Sequence, residues 1–237
     1  MDLPGELAKA LHSLAKRYGL ATAQEDQLLA ILDRLAQAET APTAVREPSQ
    51  ALHVHLADSL VALELESVRG AQRVVDLGAG AGFPGLPLAV ALPQSEVWLV
   101  ESQRRKCAFI DDVCRLAGIA NAQTLCVRAE EWGEGMSRND LVLARALAPP
   151  AVVLEYAAPL LRLGGALVDW RGRRDVEAEA AAAVAASELG MELLRIQRTE
   201  PYAGAREHHL HEYRKVVATP PRFPRRAGIA RKRPLGC

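Results

Sequence analysis

Val74-Val75-Asp76-Leu77-Gly78-Ala79-Gly80-Ala81-Gly82-Phe83-Pro84-Gly85 reads as a buried strand that runs into a glycine turn and then a helix. Residues 74–77 are a short apolar run, and residues 86–91 resume at helical density after the turn. In such a unit, backbone N–H groups and a helix N-terminus face the carboxyl edge of the strand. Glycines at 78, 80 and 82 permit positive φ and let a ligand come close to the main chain. From Gly80 the string also satisfies G-x-G-x-x-G, the dinucleotide fingerprint, so an NAD(P)-linked oxidoreductase stays open as an alternative. Asp76 favours another ligand. A carboxylate entering the turn repels a pyrophosphate but suits the cationic methionine end of S-adenosyl-L-methionine.

Outward from that unit, short apolar strands at 97–100, 124–127, 141–144 and 166–170 alternate with helices at 104–117, 151–161 and 175–189. The alternation predicts an α/β fold, a mostly parallel sheet with helices on both faces. Strands at 192–197 and 212–217 are joined by a loop holding Pro201 and Gly204, with no helix between them. A terminal antiparallel hairpin of this kind closes a seven-stranded, Rossmann-like methyltransferase sheet. Upstream, residues 5–20 and 22–39 read as amphipathic helices, with a third at 49–65. The organisation expected is an N-terminal helical extension (1–65), an S-adenosylmethionine-dependent domain (66–219) and a basic C-terminal tail (220–237).

The 237 residues carry 29 Lys+Arg and 29 Asp+Glu, so the formal charge is zero. That sum conceals an asymmetry. From Arg214 onward there are eight basic residues and no acidic one, leaving a net charge of −8 on the rest. A basic end on an acidic body is a candidate phosphate-binding element, with a solvated tail as the bland alternative. Composition, 49% apolar and 24% charged, is that of a globular chain. No apolar run reaches membrane-spanning length, and Met1-Asp2-Leu3-Pro4-Gly5-Glu6 lacks the pattern of a secretory signal. Cys107, Cys114, Cys126 and Cys237 have neither zinc spacing nor a disulfide pattern. A cytoplasmic protein with reduced thiols and no metal is expected, a monomer with no obligate protein partner.

Glu101 ends the second strand, where a carboxylate can hydrogen-bond ribose hydroxyls. Ala129 and Glu130 follow the third strand, in position for an adenine edge, although an exposed helix-start Glu explains them too. The fourth strand ends in Arg145-Ala146, without the acid or amide, Pro-Pro and aromatic of amino-group methylation. No cysteine lies where a covalent attack on a base would need one. Both absences point to a nucleophile that loses no proton. Arg145 is then a positioning residue, whose fork can hold a carboxylate, phosphate or base edge. His55, Asp58 and Ser59 share one helical face and either address the site or form a packing network. His208, His209 and His211 read as a surface edge, and Trp98, Trp132 and Trp170 as dispersed packing.

Taken together, VVDLGAGAGFPGLPLA, LVESQRRKCAFI, LARALAPPAVVLEYAAPLLRLGG, the H-x-x-D-S-L segment at 55–60 and the ending TPPRFPRRAGIARKRPL resemble one family. It is the bacterial 16S rRNA (guanine-N7) methyltransferase family, also called glucose-inhibited division protein B or ribosomal RNA small subunit methyltransferase G. The resemblance spans roughly residues 45–235, with Arg171-Gly172 where the family often has Lys-Gly. It implies S-adenosyl-L-methionine contacts at Gly78, Phe83, Glu101, Ala129, Glu130 and Arg145, beside Asp76, Gly80 and Gly82 from the motif. The implied substrate is one guanine of 16S rRNA, in the free rRNA or the small-subunit particle. Guanine N7 already carries a lone pair, so no general base is required. Arg222, Arg225, Arg226, Arg231, Lys232 and Arg233 are expected to hold RNA phosphates. A non-catalytic RNA-binding assembly factor remains a further alternative.

Overall fold

The computed structural model describes residues 5–39 and 41–236. Met1–Pro4 and Cys237, which entered the sequence reading, lie outside the described residues. Helices α1 (Gly5–Arg17) and α2 (Thr22–Gln37) bury Leu7, Leu11, Leu14, Leu28, Ile31, Leu32 and Leu35 along the stripes that their periodicity predicts. The helix expected at 49–65 is instead a composite. It runs α3 (Pro48–Ala51), a π-helical stretch Leu52–Ala57, α4 (Asp58–Leu60) and a 3-10 stretch Val61–Glu64. Glu47 starts it by accepting from the N–H groups of Ser49 and Gln50 at 3.0 and 2.7 Å. The widened turn carries His55 and leads directly into Asp58, and such turns concentrate at functional sites.

After α5 (Glu66–Arg69) come β1 (Arg73–Leu77), α6 (Gly85–Ala91), β2 (Glu96–Val100), α7 (Arg104–Leu116), β3 (Ala122–Leu125) and β4 (Asn139–Arg145). They are followed by α8 (Pro150–Ala157), β5 (Leu161–Arg171), α9 (Val176–Leu189), β6 (Met191–Thr199), β7 (His208–Lys215) and α10 (Ile229–Lys232). The sheet has seven strands in the order β3-β2-β1-β4-β5-β7-β6. Strands β1 to β5 pair in parallel, and β7 is antiparallel to both β5 and β6. The order reverses between β1 and β4, so a crevice opens at their carboxyl ends, where ligands of such sheets bind. One face is covered by the N-terminal helices, α6 and α7 through Leu28, Leu60, Leu86 and Ile110, packed on Leu143 of β4 and its neighbours. The other is covered by α8 and α9 through Val153, Leu154, Ala185 and Leu189.

Several boundaries differ from expectation. The helix expected to reach Leu161 stops at Ala157, because Pro159 has no N–H to continue it, and Leu161 opens β5. Strand β7 begins at His208 and lies between β5 and β6. The histidines therefore sit inside the sheet and not on its edge. His209 and His211 are buried, and strand alternation turns His208 to the opposite face. Trp98 and Trp132 are not dispersed but form a tilted pair with centroids 5.6 Å apart. The tail makes one helical turn at α10.

Candidate active site

The glycine turn is fixed from both sides. The N–H groups of Gly78 and Ala79 donate to the Val100 carbonyl at 2.8 and 3.2 Å, and Gly80 N–H donates to Glu101 Oε2 at 3.2 Å. Gly78, Gly80 and Gly82 take φ values of 68, 62 and 91°. A Cβ on Gly80 would meet nothing nearer than the Gly78 carbonyl at 3.7 Å, so this stretch of backbone is open to an approaching ligand. Glu101 is 5% exposed and also accepts from Gln103 N–H at 2.9 Å, with Lys106 Nζ at 3.7 Å. The carboxylate thus joins the turn to the end of β2.

Asp76 lies beneath the turn. It is 1% exposed, Oδ2 accepts from Gly85 N–H at 2.8 Å, and Oδ1 has no partner. Burial pushes its carboxyl up to about 7, against the opposing pull of the Gly85 hydrogen bond and Arg145. The packing at Gly85 is close: a Cβ there would come within 2.7 Å of Asp76 Oδ2. In the dinucleotide reading that glycine amide belongs to the ligand loop, whereas here it is consumed inside the protein.

A cavity of about 690 Å³ opens beside the turn, within the range of cofactor sites. Gly78, Glu101, Ala129 and Glu130 line it, as the sequence suggests, together with Lys106, Leu147, Tyr156 and Arg231. Asp76, Gly80, Gly82, Phe83 and Arg145, also expected at the cofactor, are not among the residues that line it: Asp76 is buried beneath the turn, and Arg145 and Phe83 meet His55 instead. The open backbone at Gly80, the carboxylate at the end of β2 and the orphaned Asp76 Oδ1 fit a ligand carrying a ribose and a cationic amino-acid end. Lys106 stands one turn beyond Glu101 and was legible in principle as its neighbour. Tyr156 and Leu147 carry no local signal of a binding role.

Arg145, the last residue of β4, turns toward the composite helix. Nη1 donates to Asp58 Oδ2 at 2.9 Å and to the Val54 carbonyl at 3.2 Å, and Nη2 meets His55 Nδ1 at 3.4 Å. The carboxylate that its fork holds is thus Asp58. His208 Nδ1 donates to Asp58 Oδ1 at 3.0 Å, and Trp170 Nε1 donates to the Asp58 carbonyl at 2.8 Å. His55 stacks on Phe83 with centroids 4.4 Å apart, and Nε2 meets the Val45 carbonyl at 3.1 Å. Burial and then Arg145 lower the His55 ring to about 4, so it is neutral. Ser59 Oγ donates back to the His55 carbonyl at 2.5 Å. Asp58, Arg145, Trp170 and His208 line a second cavity of about 310 Å³. Ala146, at φ 53°, lies on the walls of both cavities. Such strain in a non-glycine residue gathers at functional sites.

The basic tail does two things. Gly228 N–H donates to Glu130 Oε1 at 3.0 Å and Arg231 Nη2 to the Leu147 carbonyl at 2.9 Å, which fastens the segment across the cavity mouth. Arg225 Nε donates to the buried Glu155 at 2.7 Å, with a second contact from Nη2, and Arg222 pairs with Glu188 at 2.9 Å. Arg226, Lys232 and Arg233 point into solvent. The six residues do not form one uniform face. Among the described residues, no helix is long and apolar enough to cross a membrane, and no group of three His, Cys, Asp or Glu is placed to hold a metal ion.

Residues 22–206 match the family described as rRNA small subunit methyltransferase G. The match takes in α2, which the motifs had left out, and stops before β7 and the tail. A ribosomal RNA small subunit methyltransferase G of Synechococcus elongatus is 37% identical over 199 residues, covering 82% of each chain. Its counterpart in Syntrophomonas wolfei is 41% identical over 186 residues, covering 78% of this chain and 86% of that one. Among solved structures, a SAM dependent methyltransferase from Aquifex aeolicus superposes with a TM-score of 0.54 at 16% identity, covering 72% of this chain and 94% of that one. That last likeness establishes the fold.

Proposed function

Since the chain belongs to the rRNA small subunit methyltransferase G family, we infer that it methylates small-subunit ribosomal RNA from S-adenosyl-L-methionine, and we propose guanine N7 as the acceptor atom. When bound, the cofactor supplies a methyl group on a cationic sulfur. Gly78, Glu101, Ala129 and Glu130 would hold it in the larger cavity, with Asp76 keeping the turn and the start of α6 in register. Ala146, which lines both, brings the second cavity against the first.

One observation carries the choice of N7: the acid–base groups around that junction are already committed. Asp58 accepts from Arg145 and His208, Glu101 accepts from two backbone amides, and His55 is neutral and bonded at both nitrogens. An acceptor that must shed a proton would want an uncommitted base; guanine N7 does not. Catalysis then reduces to holding nucleophile, methyl carbon and sulfur in line. The target guanine is expected in an unpaired or opened element, because the A-form major groove hides N7.

The test is methyl transfer by the purified protein to 16S rRNA from a strain lacking the gene. Borohydride reduction and aniline treatment then cleave at N7-methylguanine. One discrete, protein-dependent cleavage is expected. Methyl incorporation without it would move the acceptor to another atom, and no incorporation would remove the activity altogether.

A further inference from the structure

We propose that the cavity between the composite helix and strands β5 and β7 receives the guanine base, with Asp58 reading its N1–H and N2-amino edge. The inference rests on the guanine-N7 reading and adds the means of base selection. Asp58 is the one carboxylate lining this cavity among the described residues, and it is 6% exposed. A carboxylate has about four acceptor sites. Arg145 and His208 each use one, on different oxygens, so each oxygen retains capacity. Trp170 pins the Asp58 main chain through its carbonyl, and Arg145 and His208 hold the carboxylate itself in place.

Guanine alone among the RNA bases offers two adjacent donors, N1–H and N2-amino, to a carboxylate fork. Adenine and cytosine present a ring acceptor there and would be repelled, while uracil has one N–H between two carbonyls. Enzymes that act on an extruded base read it through this edge. Around the guanine perimeter the order is N2, N1, O6, N7. In the site His208 bonds Asp58, Asp58 bonds Arg145, and Arg145 is followed along the chain by Ala146, which lines the larger cavity as well. Arg145 has five donor hydrogens and spends three on Asp58, Val54 and His55, so it can also meet O6. The edge that specifies the base and the atom that is methylated thus fall on opposite sides of Arg145.

The experiment is a cycle of two enzymes on two substrates. Wild type and Asp58→Asn are assayed on semisynthetic 16S rRNA carrying either guanosine or inosine at the methylated position. Inosine keeps N1–H, O6 and N7 and lacks only the 2-amino group. The wild type should lose about tenfold to a hundredfold in kcat/KM on inosine, the loss expected for one hydrogen bond to a charged group. In Asp58→Asn the absolute rate falls, and the guanosine-to-inosine ratio should shrink to within about threefold. A purely structural Asp58 would lower both rates and leave the ratio as in wild type, which overturns the proposal. Equal wild-type rates on the two substrates would overturn it too, while leaving guanine-N7 methylation intact. Absence of wild-type transfer to the guanosine substrate would sink both.

Discussion

The Glu130 carboxylate accepts a hydrogen bond from the Gly228 backbone N–H at 3.0 Å, across 98 residues of sequence. That contact makes the C-terminal segment a wall of the larger cavity. Charge alone argues otherwise, since a basic segment has nothing to offer a cationic ligand. Arg231 nonetheless lines the cavity, where its Nη2 donates to the Leu147 carbonyl at 2.9 Å.

Glu130→Ala and Arg231→Ala should therefore each weaken S-adenosylhomocysteine binding about threefold to tenfold, the scale of one net hydrogen bond. Glu130→Gln keeps an acceptor for Gly228 and should lie close to wild type. Isothermal titration reads all three. Unchanged affinity in both alanine variants would mean that the segment only lies near the ligand.

Asp76 gives a pH signature. Burial raises its carboxyl from 3.8 to about 7, and the same cause raises Asp169 to about 7. A carboxyl raised in the folded state adds stability that is complete below about pH 4 and is lost as pH rises to about 7. Asp76→Asn keeps an acceptor for Gly85 and has no proton to lose. Urea unfolding at pH 4.5 and 7.5 should show a smaller loss of stability in the variant, by about 1–4 kcal/mol. Parallel losses in the two proteins would show that Asp76 does not titrate in this window.

Two glycines of one turn separate binding from folding. At Gly80 the space is open but φ is 62°, so Gly80→Ala should cost about 1–2 kcal/mol of strain and place a methyl where the ligand approaches. At Gly85 a methyl would strike the Asp76 side chain at 2.7 and 2.9 Å. Gly85→Ala should lose more stability, about 2–4 kcal/mol, as the buried hydrogen bond is displaced. Thermal melts with and without S-adenosylhomocysteine distinguish them. Gly80→Ala keeps most of its melting temperature but loses the ligand-induced rise. Gly85→Ala melts early in both conditions.

The glycine turn, the alternation after residue 73 and the terminal hairpin were legible because each is written in neighbouring residues. What was hidden is long-range. Asp58 and His208 meet across 150 positions, and Asp58 and Trp170 across 112. A local pattern tells that His208–His211 can alternate on a strand but not whether that strand is an edge. That depends on β7 inserting between β5 and β6. Asp76 was legible as a carboxylate at the turn. Its fate depended on Gly85, whose missing side chain admits it beneath α6.

The basic tail allows one further division. Arg226, Lys232 and Arg233 are exposed, whereas Arg225 spends its fork on Glu155, which is 2% exposed at the side chain. RNA phosphates should therefore be met by the first three. Replacing all three with Gln should reduce the logarithmic salt dependence of RNA binding by roughly 2–3 units, at about 0.7–0.9 per lost contact. S-adenosylhomocysteine affinity should stay within about twofold, because none of the three lines the cavity. Arg225→Gln should behave differently. It leaves a buried carboxylate without its partner, at a cost of about 3–5 kcal/mol, and shows first as lower stability. Filter binding across a salt series and urea unfolding measure the two effects separately. A salt slope that is flattened by Arg225→Gln and untouched by the triple variant would reverse the assignment and place the RNA against the inner side of the segment.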